Sequence, residues 1–250
     1  MDEAFSRTAI LLGEEALARL GSSRVAVFGV GGVGSFAAEA LARAGVGGFV
    51  LVDEAVVSES NLNRQIIATR GSEGRPKVEV MRERILDINP DARVEAHRER
   101  IDRGGAARFL APGMAYAVDA VDTLSAKLDI VLAARELGVP VVSVMGAGNK
   151  LDPTRVEVAD VYETEVCPLA RAMRRELKRL GVESLTVVYS REEPAATDDA
   201  GLPCRFEGHC DKEGGCPCER RRPVPGSVSF VPSAFGLVAA SVVVRAIAGS

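Results

Sequence analysis

Short apolar runs alternate with amphipathic segments through the first half of the chain. Arg24–Gly29 (RVAVFG) is a β-branched run, and Val33–Ala44 follows as a helix rich in Ala and Leu. Phe49–Asp53 reads as the next strand and Lys77–Ile88 as a long helix closed by Asn89-Pro90. Arg93–Ala96 is a weak strand. Ala115–Val118 and Val139–Val144 are apolar strands separated by a helix over Leu124–Leu137. Strands alternating with helices of about ten to fifteen residues predict a mostly parallel sheet with helices on both faces, a Rossmann-like α/β fold.

After Gly148 the pattern loosens. Leu169–Leu180 is a strongly basic helix and Leu185–Tyr189 a strand. Arg191–Gly226 is rich in Pro, Gly and Cys and has no periodicity, so it reads as an irregular excursion or small module. Pro232–Ala248 is the closing helix. The uncharged stretch Ser227–Val244 is about long enough to raise the question of a membrane span. Pro232 and Gly236 interrupt it, however, and Val228–Val231 reads as a strand, so a buried or subunit-interface helix is the better expectation. With no internal repeat, residues 1–250 form one domain in this reading, and residues 191–226 are an irregular insertion within it.

Composition narrows the function classes. The chain is 47% hydrophobic and 26% charged, ordinary for a globular protein and unlike a disordered one. Trp is absent and aromatics are 4% of residues, which argues against a base-stacking, single-strand-binding surface. A net charge of −4 gives no global attraction to nucleic acid but leaves room for a local basic patch. Met1–Arg7 lacks the basic and apolar regions of a signal peptide, so a cytoplasmic chain is expected, its five Cys serving as thiols or metal ligands.

Gly29-Val-Gly31-Gly32-Val-Gly34 fits G-x-G-x-x-G between a predicted strand and a predicted helix. Gly29 permits a tight turn, Gly31 lets backbone approach a phosphate, and Gly34 lets the helix lie close to the strand. Asp53 ends the next strand about twenty residues on, where a carboxylate reaches a ribose hydroxyl. This combination indicates an adenine nucleotide without distinguishing NAD, FAD and ATP. Asn61-Leu-Asn63-Arg64-Gln65, then Gly74-Arg-Pro-Lys77 heading a helix, then Asp119-Ala-Val-Asp122 favour ATP. Hydride transfer needs no such set, whereas adenylation needs cations on a triphosphate and a carboxylate for Mg²⁺. Arg64 can fork onto phosphate oxygens, and Lys77 adds charge at a helix N-terminus that already favours anions. Singly, each has a plainer reading: a surface charge for Arg64, a solvated first-turn lysine for Lys77, a helix N-cap for Asp122.

The ordered series GVGGVGS, LVDE, NLNRQ, GRPKVEVM, INP, DAVDT and GAGNKLDPT resembles the ThiF/MoeB superfamily, relatives of ubiquitin-activating enzymes. Within it, FSRTAILLGEEAL, ALARAGVG, NKLDPTRVEVAD and SFVPSAFG resemble the tRNA threonylcarbamoyladenosine dehydratase branch, from about Phe5 to Arg245. The resemblance implies that the glycine loop and Asp53 hold ATP, and that Arg64 and Lys77 contact its phosphates. It implies further that Asp122 binds Mg²⁺ or orders the triphosphate. Arg7 resembles the arginine that relatives extend into a partner subunit's site, implying a homodimer; a mobile terminal charge is the alternative. Relatives usually carry a second acid two residues after the ribose-binding Asp, where this chain has Ala55. Glu54 lies next door but is expected to face the other way if the strand continues. The implied reaction activates the carboxylate of a threonylcarbamoyl group on a tRNA adenosine as its adenylate, which then cyclises and expels AMP. The alternative is adenylation of the C-terminus of a ubiquitin-like sulfur carrier. A sulfurtransferase or other accessory protein stays open as a partner.

A tRNA substrate calls for a basic face. Arg171, Arg174, Arg175, Lys178 and Arg179 cover much of one helix side, and Arg220-Arg221-Arg222 adds a second cluster, though simple solvation explains such runs equally well. Cys204, Cys210, Cys216 and Cys218, with His209 beside the second, are spaced C-x5-C-x5-C-x-C. Four thiolates in one loop can wrap Zn²⁺ or hold an iron–sulfur cluster, or remain free thiols. Cys167, before Pro168, reads as a reactive thiol or a plain residue at a helix start.

Overall fold

The computed structural model describes residues 3–196 and 225–249. Its strands are β1 (Arg24–Phe28), β2 (Gly48–Val52), β3 (Arg93–His97), β4 (Tyr116–Asp119), β5 (Val141–Val144), β6 (Val156–Asp160) and β7 (Thr186–Ser190). Its helices are α1 (Ser6–Leu12), α2 (Glu14–Ser22), α3 (Gly34–Arg43), α4 (Lys77–Ile88), α5 (Leu124–Leu137), α6 (Pro168–Arg179) and α7 (Phe230–Ala248). All seven strands form one sheet in the order β3-β2-β1-β4-β5-β7-β6, parallel except for β6 against β7.

Strand alternation divides the core between two faces. Val25 and Val27 of β1, with Phe49 and Leu51 of β2, pack with residues of α3, α4 and α7. Ala26, Phe28, Val50 and Val52 point the opposite way, toward α5. A further cluster joins α6 to α5 and β7 through Met173, Leu177, Val131 and Tyr189. The mostly parallel sheet covered on both faces is therefore as the sequence pattern expects, and α4 and α5 have the expected bounds.

Two features differ from the sequence reading. Val228–Val231 is not a strand: residues 225–228 have no regular structure and α7 starts at Phe230. Pro232 falls in the first turn of that helix, where its missing N–H costs no intrahelical bond. β6 was not expected at all. It is a half-exposed edge strand (VEVAD), so its apolar signal is diluted by charge.

α7 is apolar and long enough to cross a membrane by length and composition. Here it lies across α3, so closely that a Cβ on Gly236 would stand 2.4 Å from the Val33 carbonyl oxygen. Arg19 of α2 caps its far end by donating to the Ile247 and Ala248 carbonyls. Its apolar side thus completes the core, while Phe230 and Leu237 remain half exposed.

Candidate active site

The strand order reverses direction between β1's two neighbours, β2 and β4. In open α/β sheets the crevice at the carboxyl ends of such strands is where ligands bind. The loops after β1 and β4 meet there. Ala120 donates its N–H to the Phe28 carbonyl at 2.8 Å. A Cβ on Gly29 would come within 2.8 Å of the Ala120 carbonyl oxygen, and Gly29 has φ of +84°. Only glycine satisfies both demands. A Cβ on Gly31, by contrast, would meet nothing closer than the Gln65 Nε2 at 3.8 Å. Gly32 lies between Pro232 and Arg64.

Asp53 is tied into this loop. Its carboxylate accepts from the Val30 N–H at 2.7 Å and the Ala55 N–H at 2.8 Å, so it braces the glycine loop. Because β2 ends at Val52, the strand does not continue through Glu54, which lies toward Arg100 at 4.0 Å. The Ala55 carbonyl in turn accepts from the Lys77 N–H at 3.0 Å, fixing the start of α4.

The segment between these points supplies polar groups. Asn61 is buried and its Oδ1 accepts from the Ser58 N–H, closing a capping box around a short 3₁₀ turn. Asn63 donates to the Ser227 carbonyl at 2.9 Å and accepts from Arg64, whose guanidinium also reaches the Ser60 carbonyl. Gln65 is 7% exposed, and its Oε1 is buried without a hydrogen-bond partner. Lys77 is 9% exposed, and its ammonium takes part in none of the hydrogen bonds or ion pairs formed among the described residues. A buried amide oxygen left so, as at Gln65, is costly unless a ligand completes it.

Asp122 is exposed on the Ala120–Thr123 loop, with its carboxylate in no hydrogen bond or ion pair among the described residues. It does not cap α5, as its plainer reading had it: Thr123 occupies the N-cap position, and no side chain caps there. Arg7 is not part of its own chain's site. It lies two residues past Phe5, which packs at Gly45, before β2 and at the opposite end of the sheet.

These residues fit a nucleoside triphosphate with a divalent cation. A glycine cradle leaves room at Gly31, Lys77 offers a positive charge at the head of α4, and Gln65 holds an unanswered oxygen. Asp122 offers the hard oxygen donor that Mg²⁺ takes. The sequence reading gave no role to Asp119, Lys127 or Ser143, which are fully buried beside this loop.

On α6, Arg174 faces inward and donates to the Thr164 carbonyl at 2.7 Å, so it does not belong to a basic outer face. Arg175 and Arg179 both pair with Glu176, leaving Arg171 and Lys178 exposed beside them. Cys167 is buried, its Sγ 3.9 Å from where a Cβ on Gly146 would stand. Lys150 is also buried; burial pushes its pKa down, against the opposing pull of Cys167 and Glu192. Cys204, His209, Cys210, Cys216, Cys218 and Arg220-Arg221-Arg222 lie outside the described residues.

The ThiF family model matches residues 5–250. The chain is 40% identical to the tRNA threonylcarbamoyladenosine dehydratase of Bacillus subtilis over 94% of its own length and 90% of that protein's. To the Escherichia coli protein of the same name it is 35% identical, over 96% and 91% of the two lengths. A crystal structure of that Escherichia coli enzyme in complex with ATP superposes with a TM-score of 0.83 at 33% identity, covering 98% of this chain and 93% of the other.

Proposed function

The chain belongs to the ThiF family, and from that membership we propose that it is an ATP-dependent tRNA threonylcarbamoyladenosine dehydratase. The two relatives matched over about nine tenths of both lengths carry that name, and one of them has been crystallised with ATP and with AMP. The observation in this chain that carries the reading is Lys77 at the head of α4, whose stem is buried and whose ammonium, unpaired among the described residues, stays open to an anion. A triphosphate supplies what that position lacks.

The chemistry follows from the leaving groups. An oxygen of the threonylcarbamoyl carboxylate attacks the α-phosphorus of ATP and pyrophosphate departs. The resulting acyl-adenylate is attacked by a nitrogen of the same nucleoside, and the C–O bond breaks to release AMP. Oxide, a poor leaving group, has thereby become AMP, and the closed ring is lighter than its precursor by one water. Because ring closure is intramolecular, no enzyme nucleophile is required.

This chain's residues handle charge and position. Arg64 and Lys77 counter the negative charge that develops on the phosphates as pyrophosphate leaves. Asp53 and the glycine loop hold the nucleoside end. Asp122 holds Mg²⁺, which when bound neutralises phosphate charge. The exposed Arg171 and Lys178 of α6, with Arg175 and Arg179, offer a basic face for the tRNA backbone. Arg7, remote from its own site, acts in the site of a second copy in a cytoplasmic homodimer. A cysteine-bound metal is not needed for these steps.

The test is incubation of purified protein with ATP, Mg²⁺ and tRNA bearing threonylcarbamoyladenosine, followed by mass analysis of the digested tRNA. One AMP per nucleoside lightened by one water is expected. An unchanged nucleoside would refute the reading, and pyrophosphate exchange dependent on a Gly-Gly-tailed protein would replace it with sulfur-carrier activation.

A further inference from the structure

Three side chains that this chemistry leaves unused are fully buried at the root of the Asp122 loop. Asp119 ends β4, Ser143 stands in register beside it on β5, and Lys127 lies in the first turn of α5. The Lys127 ammonium donates to Asp119 Oδ2 at 3.1 Å, to Ser143 Oγ at 3.3 Å and to the Val144 carbonyl at 2.7 Å. All three of its donors are thus engaged. The Ser143 hydroxyl donates to the same Asp119 oxygen, and the other Asp119 oxygen accepts from the Val121 N–H at 3.3 Å.

A buried ion pair is a weak source of stability, because the desolvation of two charges offsets most of their attraction. Its placement is more informative. The loop Ala120–Thr123 leaves from Asp119 and returns to the helix turn that carries Lys127, whose own N–H donates to the Thr123 carbonyl at 3.1 Å. The ion pair therefore joins the two ends of the loop. Val121, inside the loop, is held by the same carboxylate. Ala120 is packed on Gly29, so the cluster also fixes the spacing between the Asp122 loop and the glycine loop.

We propose that Asp119, Lys127 and Ser143 form a positioning device that holds the Asp122 carboxylate at a fixed place relative to the glycine loop. This rests on the reading of Asp122 as the residue that holds the nucleotide's Mg²⁺. The three residues touch no substrate; they act through the loop.

The test uses the pair variant Asp119→Leu/Lys127→Met, which removes both charges at similar volume. Lys127→Met alone is expected to lower the thermal midpoint, since it strands a buried carboxylate, and the pair variant to recover it. Despite that recovery, the tightening of a non-hydrolysable ATP analogue by Mg²⁺ should weaken about tenfold. Turnover should fall about a hundredfold with KM for tRNA unchanged. A pair variant with wild-type Mg²⁺ tightening and wild-type turnover overturns the proposal. Ser143→Ala covers the case of a pair variant that does not fold. It should slow turnover several-fold in the wild type and not at all on an Asp122→Ala background, because coupled residues are non-additive. Equal slowing on both backgrounds overturns the proposal. If the wild type leaves tRNA unchanged while Mg²⁺ tightening persists and is lost in the pair variant, the dehydratase reading fails and the positioning role is upheld.

Discussion

A Cβ on Gly34 would stand 1.8 Å from the carbonyl oxygen of Gly29, so the first residue of α3 and the turn that precedes it exclude any side chain between them. Gly→Ala within a helix ordinarily stabilises by about 0.5–1 kcal/mol. Here the sign should reverse. Gly34→Ala is expected to lower the thermal midpoint and abolish nucleotide binding together, whereas Gly31→Ala, with 3.8 Å to its nearest neighbour, should fold normally and lose nucleotide affinity alone. Differential scanning calorimetry with and without an ATP analogue separates the two.

Lys77 and Arg64 should be required for adenylation to different structural cost. Each alanine variant is expected to slow AMP formation by about two to three orders of magnitude, measured under single turnover. Lys77→Met should leave the thermal midpoint of the nucleotide-free protein nearly unchanged, because the ammonium forms no pairing among the described residues and keeps access to solvent. Arg64→Ala, which severs bonds to Ser60 and Asn63, should lower it.

The pairing of Glu157 predicts a loss of stability in acid. The Tyr189 hydroxyl donates to this carboxylate and holds its pKa below the usual 4.5, with Arg191 contributing and burial opposing. A carboxyl depressed in the folded state stabilises above its unfolded pKa, and that contribution disappears as pH falls through the folded value. Between pH 7 and 3 the wild type should therefore lose more stability than Glu157→Gln, with the divergence confined to the range at and below 4.5. Parallel curves in urea titrations would exclude the linkage.

Arg7 should act across subunits. Arg7→Ala and Lys77→Ala are each expected to be inactive, but chains of the two variants, mixed under exchange, should form heterodimers with one intact site. Random mixing gives about a quarter of wild-type activity for a two-fold dimer. No recovery, with exchange demonstrated by mass spectrometry, would place Arg7 outside the partner's site.

What the sequence made legible was whatever is written locally. α4 and α5 have the bounds that their periodicity indicates, α4 closing at the Asn89-Pro90 stop, and the glycine loop lies where its strand and helix require. Pairings between distant segments were not legible. Lys127, eight residues from Asp119, carries no local sign of burial, yet Ser143 of the next strand and the Val144 carbonyl make it a core residue. Arg174 is misread for the same reason, since Thr164 turns it inward. Val228–Val231 shows the limit of short apolar runs, which suit a strand or a buried helix alike.

Asn149, at φ of 58°, holds the flanks of the Cys-rich stretch. Its carbonyl accepts from the Ala195 N–H, its N–H donates to the Gly226 carbonyl, and its Oδ1 accepts from the Gly226 N–H. One asparagine thus works as a socket into which both ends of residues 196–225 are plugged. Lengthening such a closed span costs only about 0.6 kcal/mol per doubling. An insertion between Ala195 and Gly226 should therefore leave the thermal midpoint of the sheet nearly unchanged so long as Asn149 keeps both contacts.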